Sequence, residues 1–143
     1  MTGKKYLKSI QKHKQQLVHK KQRLEDLYNA VGLTGIDYSK DLIQTSPKNS
    51  FEEKLVEIAD LNREILGDIV SLENQISEAE KRIYMLDNDK HCEILYKRYI
   101  DIKSLEQISV EMGYSFDRVR HLHAEAINEF DNRHSAYLRR TWK

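Results

Sequence analysis

Ten residues, Leu55, Ile58, Asn62, Ile65, Ile69, Leu72, Ile76, Ala79, Ile83 and Leu86, follow one another in alternating steps of three and four. A period of 3.5 residues keeps one stripe of a long helix turned toward a partner, the pattern of a left-handed coiled-coil seam. About 32 residues at ~1.5 Å each make a rod of roughly 48 Å. Asn62, the one polar seam residue, costs stability and favours the register in which its amide finds a partner. Leu61, Leu66 and Val70 widen the stripe, so the helix is expected to meet two neighbours: an earlier helix folded back and a second subunit. Leu55, Ile58, Asn62, Ile65, Ile69, Leu72, Ile76 and Ile83 are therefore the expected oligomerisation residues, most simply of a homodimer.

The earlier helix is expected over about residues 4–31. Ile10, Leu17, Leu24 and Val31 recur seven apart, Lys14 and Lys21 occupy positions where a strict zipper has Leu, and Gly32 closes the helix. Residues 32–50, GLTGIDYSKDLIQTSPKNS, collect Gly, Ser, Thr, Asn, Asp and the only Pro, which is turn chemistry. Ser50 with Glu53 makes a capping box that places the start of the second helix. Residues 1–87 thus read as a long antiparallel helical hairpin.

Beyond Leu86 the long period stops at DNDK and three shorter helical patterns follow. Asp89 to Ile100 puts Cys92, Leu95, Tyr96 and Tyr99 on one face. Ser104 caps the next with Gln107, turning Leu105, Ile108 and Met112 inward up to Gly113. Ser115 caps the last, whose inward row is Val119, Leu122, Ala126 and Phe130. Three short helices with a Gly-containing turn before the third form a helix-turn-helix plan. The expected fold class is all-α: the hairpin, then a small C-terminal helix-turn-helix domain over 88–143 ending in a basic tail.

Charge is unevenly spread behind a net value of +1. Lys4 to Arg23 holds eight Lys or Arg and no acid, Glu52 to Glu93 twelve acids against five bases, and Ile94 to Lys143 nine bases against seven acids. Basic ends suit an anionic partner such as nucleic acid, although solvated helix faces account for most charge runs. The N-terminal lysines Lys4, Lys5, Lys8, Lys12 and Lys14 admit both readings. No apolar run approaches the ~18 residues of a membrane helix and no signal-peptide pattern precedes the first helix. The lone Cys92 forms no internal disulfide and matches no ligand spacing, which fits a cytoplasmic chain. No phosphate loop or nucleophile–base pattern occurs, and His121 and His123, two apart, point to different sides of a helix. The expectation is no enzyme, no metal and no cofactor.

At 100° per residue, the inward row of the last helix sends Asp117, His121, Ala124 and Asn128 outward, flanked by Arg118 and Arg120. In helix-turn-helix proteins the first turns of this helix meet base edges in the major groove, where Arg binds guanine bidentately. Arg120 is the first candidate for such a contact. Asp117 either accepts from a cytosine amino group or orients an arginine, and His121 can donate or accept. Phe116 either touches a thymine methyl or tucks under the helix end. Ser115, Lys103 just ahead of the motif, and Arg139 and Arg140 in the tail complete the candidate DNA-binding set. In that tail Tyr137, Leu138 and Trp142 extend the last helix and its packing.

ILYKRYIDIKSLEQISVEMGYSFDRVRHLHAEAINEF, from Ile94 to Phe130, resembles the sigma-factor region that reads the upstream promoter element, and more closely the phage late-gene transcription regulators of the ArpU and RinA type. The likeness is carried by the lead-in LYKRYI, by Ser104-Leu105-Glu106-Gln107-Ile108, by Met112-Gly113-Tyr114-Ser115, by Arg118-Val119-Arg120 and by Leu122-His123. Tyr38 to Glu53 is similar to the loop joining the long helices in those phage proteins. This chain departs in having Asp101-Ile102-Lys103 where a small turn residue often precedes the capping Ser, and Ser109 where an Ala usually packs. The resemblance implies a phage or prophage protein that binds duplex DNA upstream of late or packaging genes and activates transcription, with host RNA polymerase as a further partner. The alternatives are a small terminase subunit, in which the DNA-binding module is expected first rather than last, and a coiled-coil interaction protein that binds no DNA.

Overall fold

The computed structural model describes residues 1–32 and 47–141. These residues are all-helical, with no strand among them: α1 (Gly3–Ala30), α2 (Pro47–Tyr84), α3 (Asp89–Leu95), one π-helical turn (Tyr96–Ile100), α4 (Leu105–Met112), α5 (Phe116–Arg133) and α6 (Ser135–Thr141). Gly32 closes α1 as its position predicts, at φ 76°, with its N–H donated to the Asn29 carbonyl at 3.1 Å. α2 starts at Pro47, so the Ser50–Glu53 pair lies inside the helix and does not cap it. Proline's fixed φ and missing N–H suit a first helical turn. Residues 33–46 of the expected loop, and Trp142, lie outside the described residues.

Packing divides the chain into Lys14–Ser71 and a second unit made of Met1–His13 with Leu72–Lys143. Compactness therefore does not change at residue 87/88, the boundary expected from the sequence. In the second unit the first turns of α1 and the last turns of α2 bury Tyr6, Leu7, Ile10, Ala79 and Ile83 among the short C-terminal helices.

Within Lys14–Ser71, Leu17, Val31, Ile58, Leu61 and Ile65 are buried. Lys20 pairs with Glu64 at 2.9 Å and Asp68 at 2.5 Å, and the Asn62 amide donates to the Tyr28 hydroxyl at 3.1 Å. Advancing along α1 retreats along α2, so the two segments are antiparallel. Asn62 finds its partner in its own chain.

In the second unit the Phe130 ring is fully buried, stacked on Tyr6 with centroids 6.0 Å apart and edge-on to His134 at 4.7 Å. α5 ends at Arg133 and α6 is a separate helix, so the tail does not prolong α5. The corner is held by the His134 ring, whose Nε2–H donates to the Arg82 carbonyl at 2.7 Å, and by buried Leu138. Tyr137 lies beneath the Arg82 guanidinium, 3.8 Å from it. α3 is tied to α5 by Glu129, which accepts from His91 Nδ1–H at 2.5 Å and from the Asp87 N–H at 3.0 Å; the His91 bond holds its carboxyl below the usual range.

Gly3 donates its N–H to Asp131 at a close approach of α1 to α5. A Cβ on residue 3 would stand 2.7 Å from both Asp131 Oδ1 and Phe130 Cδ1, and a buried ring has little room to yield. Gly3→Ala is expected to lower stability by about 1–3 kcal/mol, read as a fall in thermal midpoint; an unchanged midpoint would mean that this contact does not hold α1 in place.

Candidate nucleic-acid interface

The turn between α4 and α5 is built from local bonds that the sequence encodes. Ser104 and Gln107 form the expected capping box: the Gln107 N–H donates to Ser104 Oγ at 3.1 Å and the Ser104 N–H to Gln107 Oε1 at 2.9 Å. Gly113 ends α4 at φ 70°. Its N–H donates to the Val110 carbonyl and the Tyr114 N–H to the Ser109 carbonyl, the paired bonds of a Schellman ending. One residue on, Ser115 Oγ accepts the Arg118 N–H at 3.2 Å and α5 begins.

Val119, Ala126 and Phe130 of α5 are buried. Asp117, Arg118, Arg120, His121, Ala124 and Asn128 are all exposed, as are Ser115 and Phe116. The structure thus brings Ser115, Phe116, Asp117, Arg118, Arg120, His121 and Ala124 together on the first turns of one helix. Several are preset. Arg118 lies over the Tyr114 ring at 4.2 Å, and Arg120 reaches Asp117 one turn back at 3.3 Å. His121 Nδ1 sits 2.7 Å from the Asp117 carbonyl. A carbonyl only accepts, so the proton is on Nδ1 and a neutral His121 keeps Nε2 as an acceptor.

Lys103 is placed differently. It is half-buried, bonded to Glu111 at 2.6 Å with Lys97 also 3.5 Å from that carboxylate; the Lys103 bond holds the Glu111 carboxyl low and the Lys103 ammonium high. Arg139 and Arg140 are exposed on α6, which begins past the far end of α5, roughly 25 Å along that helix from Ser115. Arg139 and Arg140 thus lie apart from the first turns of α5.

Two features escape sequence reasoning. The predicted helix over Asp89–Ile100 is α-helical only to Leu95 and then widens into the π turn, closed by the Asp101 N–H donating to the Tyr96 carbonyl at 3.1 Å. The start of α1 also lies beside α5 and the π turn: Gly3 meets Asp131 and Tyr6 stacks on Phe130, while Gln11 Nε2 donates to the Arg98 carbonyl of the π turn at 2.8 Å. The run of eight bases without an acid was the available signal, but periodicity does not say which helix it joins.

Of the expected oligomerisation residues, Ile58, Ile65, Leu72 and Ile83 are buried in their own chain, Asn62 is bonded to Tyr28, Ile69 and Ile76 are half-buried, and Leu55 is exposed. Most of that seam packs within the chain. Among the described residues no cluster of three His, Cys, Asp or Glu could hold a metal ion, and no helix is long and apolar enough to cross a membrane. Cys92 is buried, and burial pushes its thiol up, which disfavours the thiolate. No protein-family model, curated protein or solved structure matches this chain.

His123 is packed behind the exposed face, its Nε2 2.7 Å from the Tyr99 hydroxyl. Burial, with Arg98, Lys4 and Lys8 nearby, pushes it down to about 4. A base whose folded value lies below its unfolded one contributes stability above the unfolded value, near 6.5, and loses it as pH falls toward the folded value. The thermal midpoint should therefore decline between pH ~6.5 and ~4, and His123→Phe, which cannot bind the proton, should flatten that decline; equal slopes in the two proteins would refute the assignment.

Proposed function

We propose that this protein is a sequence-specific duplex-DNA-binding regulator whose α5 reads base edges in the major groove. One observation carries the reading: a helix preceded by a tight Gly113–Ser115 turn has one face buried and, on its first turns, an exposed face of Asp117, Arg118, Arg120, His121 and Ala124. The dimensions and chemistry suit a groove that admits one helix and presents acceptors to arginine. Arg120 contacts guanine, with Asp117 aligning its guanidinium. His121 Nε2 accepts from an exocyclic amino group. Ser115 and Arg118 fix the helix end on the backbone, and Ala124 leaves room for the groove wall. Phe116 stands beside this set as an apolar contact. Lys4 and Lys8, exposed on the part of α1 beside α5, supply phosphate contacts; Lys103, Arg139 and Arg140 are peripheral.

The resemblance to ArpU- and RinA-type regulators extends this reading to activation of phage late or packaging genes in a bacterial cytoplasm, with host RNA polymerase as partner. Selecting bound duplexes from a random pool tests the core of it. Arg120→Ala should cost about 1–3 kcal/mol on the selected site and much less on random DNA. Lys4→Gln with Lys8→Gln should weaken both alike and flatten the logarithmic salt slope by about 1.8, at ~0.9 per contact. Equal losses from Arg120→Ala on both DNAs, or no binding to any duplex at low salt, would defeat the proposal.

A further inference from the structure

Apart from its buried seam, α2 carries a second row of the same period. Val56, Ala59, Arg63, Leu66, Val70, Glu73 and Ser77 alternate steps of three and four, and all are exposed; Leu66 and Val70 show 65% and 61% of their surface. At 100° per residue this row stands roughly 120° around the helix from Ile65. Val56, Ala59, Leu66 and Val70 are its apolar members and Arg63, Glu73 and Ser77 its polar ones; scattered surface apolar residues are ordinary, whereas Leu66 and Val70 stand one turn apart on one exposed face.

Val18 of α1, 63% exposed, falls on the same side of the Lys14–Ser71 unit. The ion pairs of Lys20 with Glu64 and Asp68 mark one edge of the antiparallel pair. Relative to the inward Leu17, Val18 is turned about 100° away from the Lys20 side. On α2, Leu66 and Val70 are turned by a similar angle away from the Glu64 and Asp68 side. In antiparallel helices those two rotations lead to one common edge, so the three residues make an apolar patch opposite the ion pairs.

We propose that this face binds a second copy of the chain, antiparallel, pairing α2 with α2. The order of charges along the row selects this occupant and its direction. A parallel pair would set Arg63 against Arg63 and Glu73 against Glu73. Reversal about a two-fold axis level with Asp68 sets Leu66 of each copy against Val70 of the other, with Arg63 facing Glu73 on both sides and Ala59 facing Ser77 beyond. Two repulsions become two attractions around an apolar centre, and every contact occurs twice, as a closed two-fold interface requires. The intrachain partner of Arg63, Asp60 at 3.7 Å, is itself exposed and easily exchanged. This interface does not depend on DNA binding.

Light scattering on the full chain should give twice 17.0 kDa. Leu66→Glu with Val70→Glu, both at exposed positions, should weaken the dimer about a hundredfold or more while circular dichroism keeps its helical signal. Arg63→Cys with Glu73→Cys should form a disulfide-linked dimer on oxidation and Arg63→Cys alone should not, Cys92 being buried. A wild-type monomer at about 0.1 mM, a dimer indifferent to the two glutamates, or cross-linking through Arg63→Cys alone overturns the proposal.

Discussion

Burial of the Phe130 ring fixes what α5 can show to solvent. The ring has no exposed surface, lies against Tyr6 and His134, and approaches residue 3 so closely that a Cβ there would collide with it. With Val119 and Ala126 it commits one face of α5 to the interior. Helical geometry then turns Asp117, His121, Ala124 and Asn128 to the opposite side, whatever those residues are. The scaffold and the candidate reading surface are therefore separable: the first depends on apolar volume, the second on polar groups that contribute little to folding.

How much of this was legible in the sequence depends on how local the cause is. The Ser104–Gln107 box, the left-handed Gly113 and the Ser115 cap were readable because each satisfies backbone groups within a few residues. The outward position of Arg118, Arg120 and His121 followed from them. The start of α2 at Pro47 was missed because Ser50–Glu53 is a valid capping pattern that a preorganised proline pre-empts. The division of the chain at 13/14 and 71/72 was not readable. The seam from Leu55 to Leu86 is continuous in period, and only tertiary packing determines that Ala79 and Ile83 are buried with the short helices while Ile58 and Ile65 lie in the other unit. The break at His134 has the same character, since its Nε2 bond to Arg82 spans 52 residues of sequence.

Local pairing also limits what the basic residues can do. Lys103 and Lys97 share the Glu111 carboxylate, and Arg120 is aligned by Asp117 with both side chains mostly in water. Pairs so exposed contribute little to stability, because solvent screens them and ordering two long side chains costs entropy. Their effect is on direction: an arginine already leaning on a carboxylate or an aromatic ring loses less freedom when a partner takes it. Arg118 over Tyr114 and Arg120 beside Asp117 are both placed in this way, on the first two turns of a helix whose N-terminus favours anions.

The junction ahead of α4 shows how the angle of the motif is set. Ile102 has φ 56°, a left-handed conformation that a β-branched side chain adopts at a cost of about 1–2 kcal/mol. Only glycine, which has no Cβ, would adopt this turn without that cost. Here the neighbours hold it. Arg98 Nη1 donates to the Lys103 carbonyl at 2.9 Å, the Lys103 N–H reaches the Lys97 carbonyl at 3.0 Å, and the widened π turn shifts those carbonyls into place. Two hydrogen bonds to the π turn thus hold the residue that follows the strained one. Because the Ser104 cap follows two residues later, the direction in which α4 leaves, and with it the pose of α5, is determined at Ile102 rather than at the Gly113 turn alone.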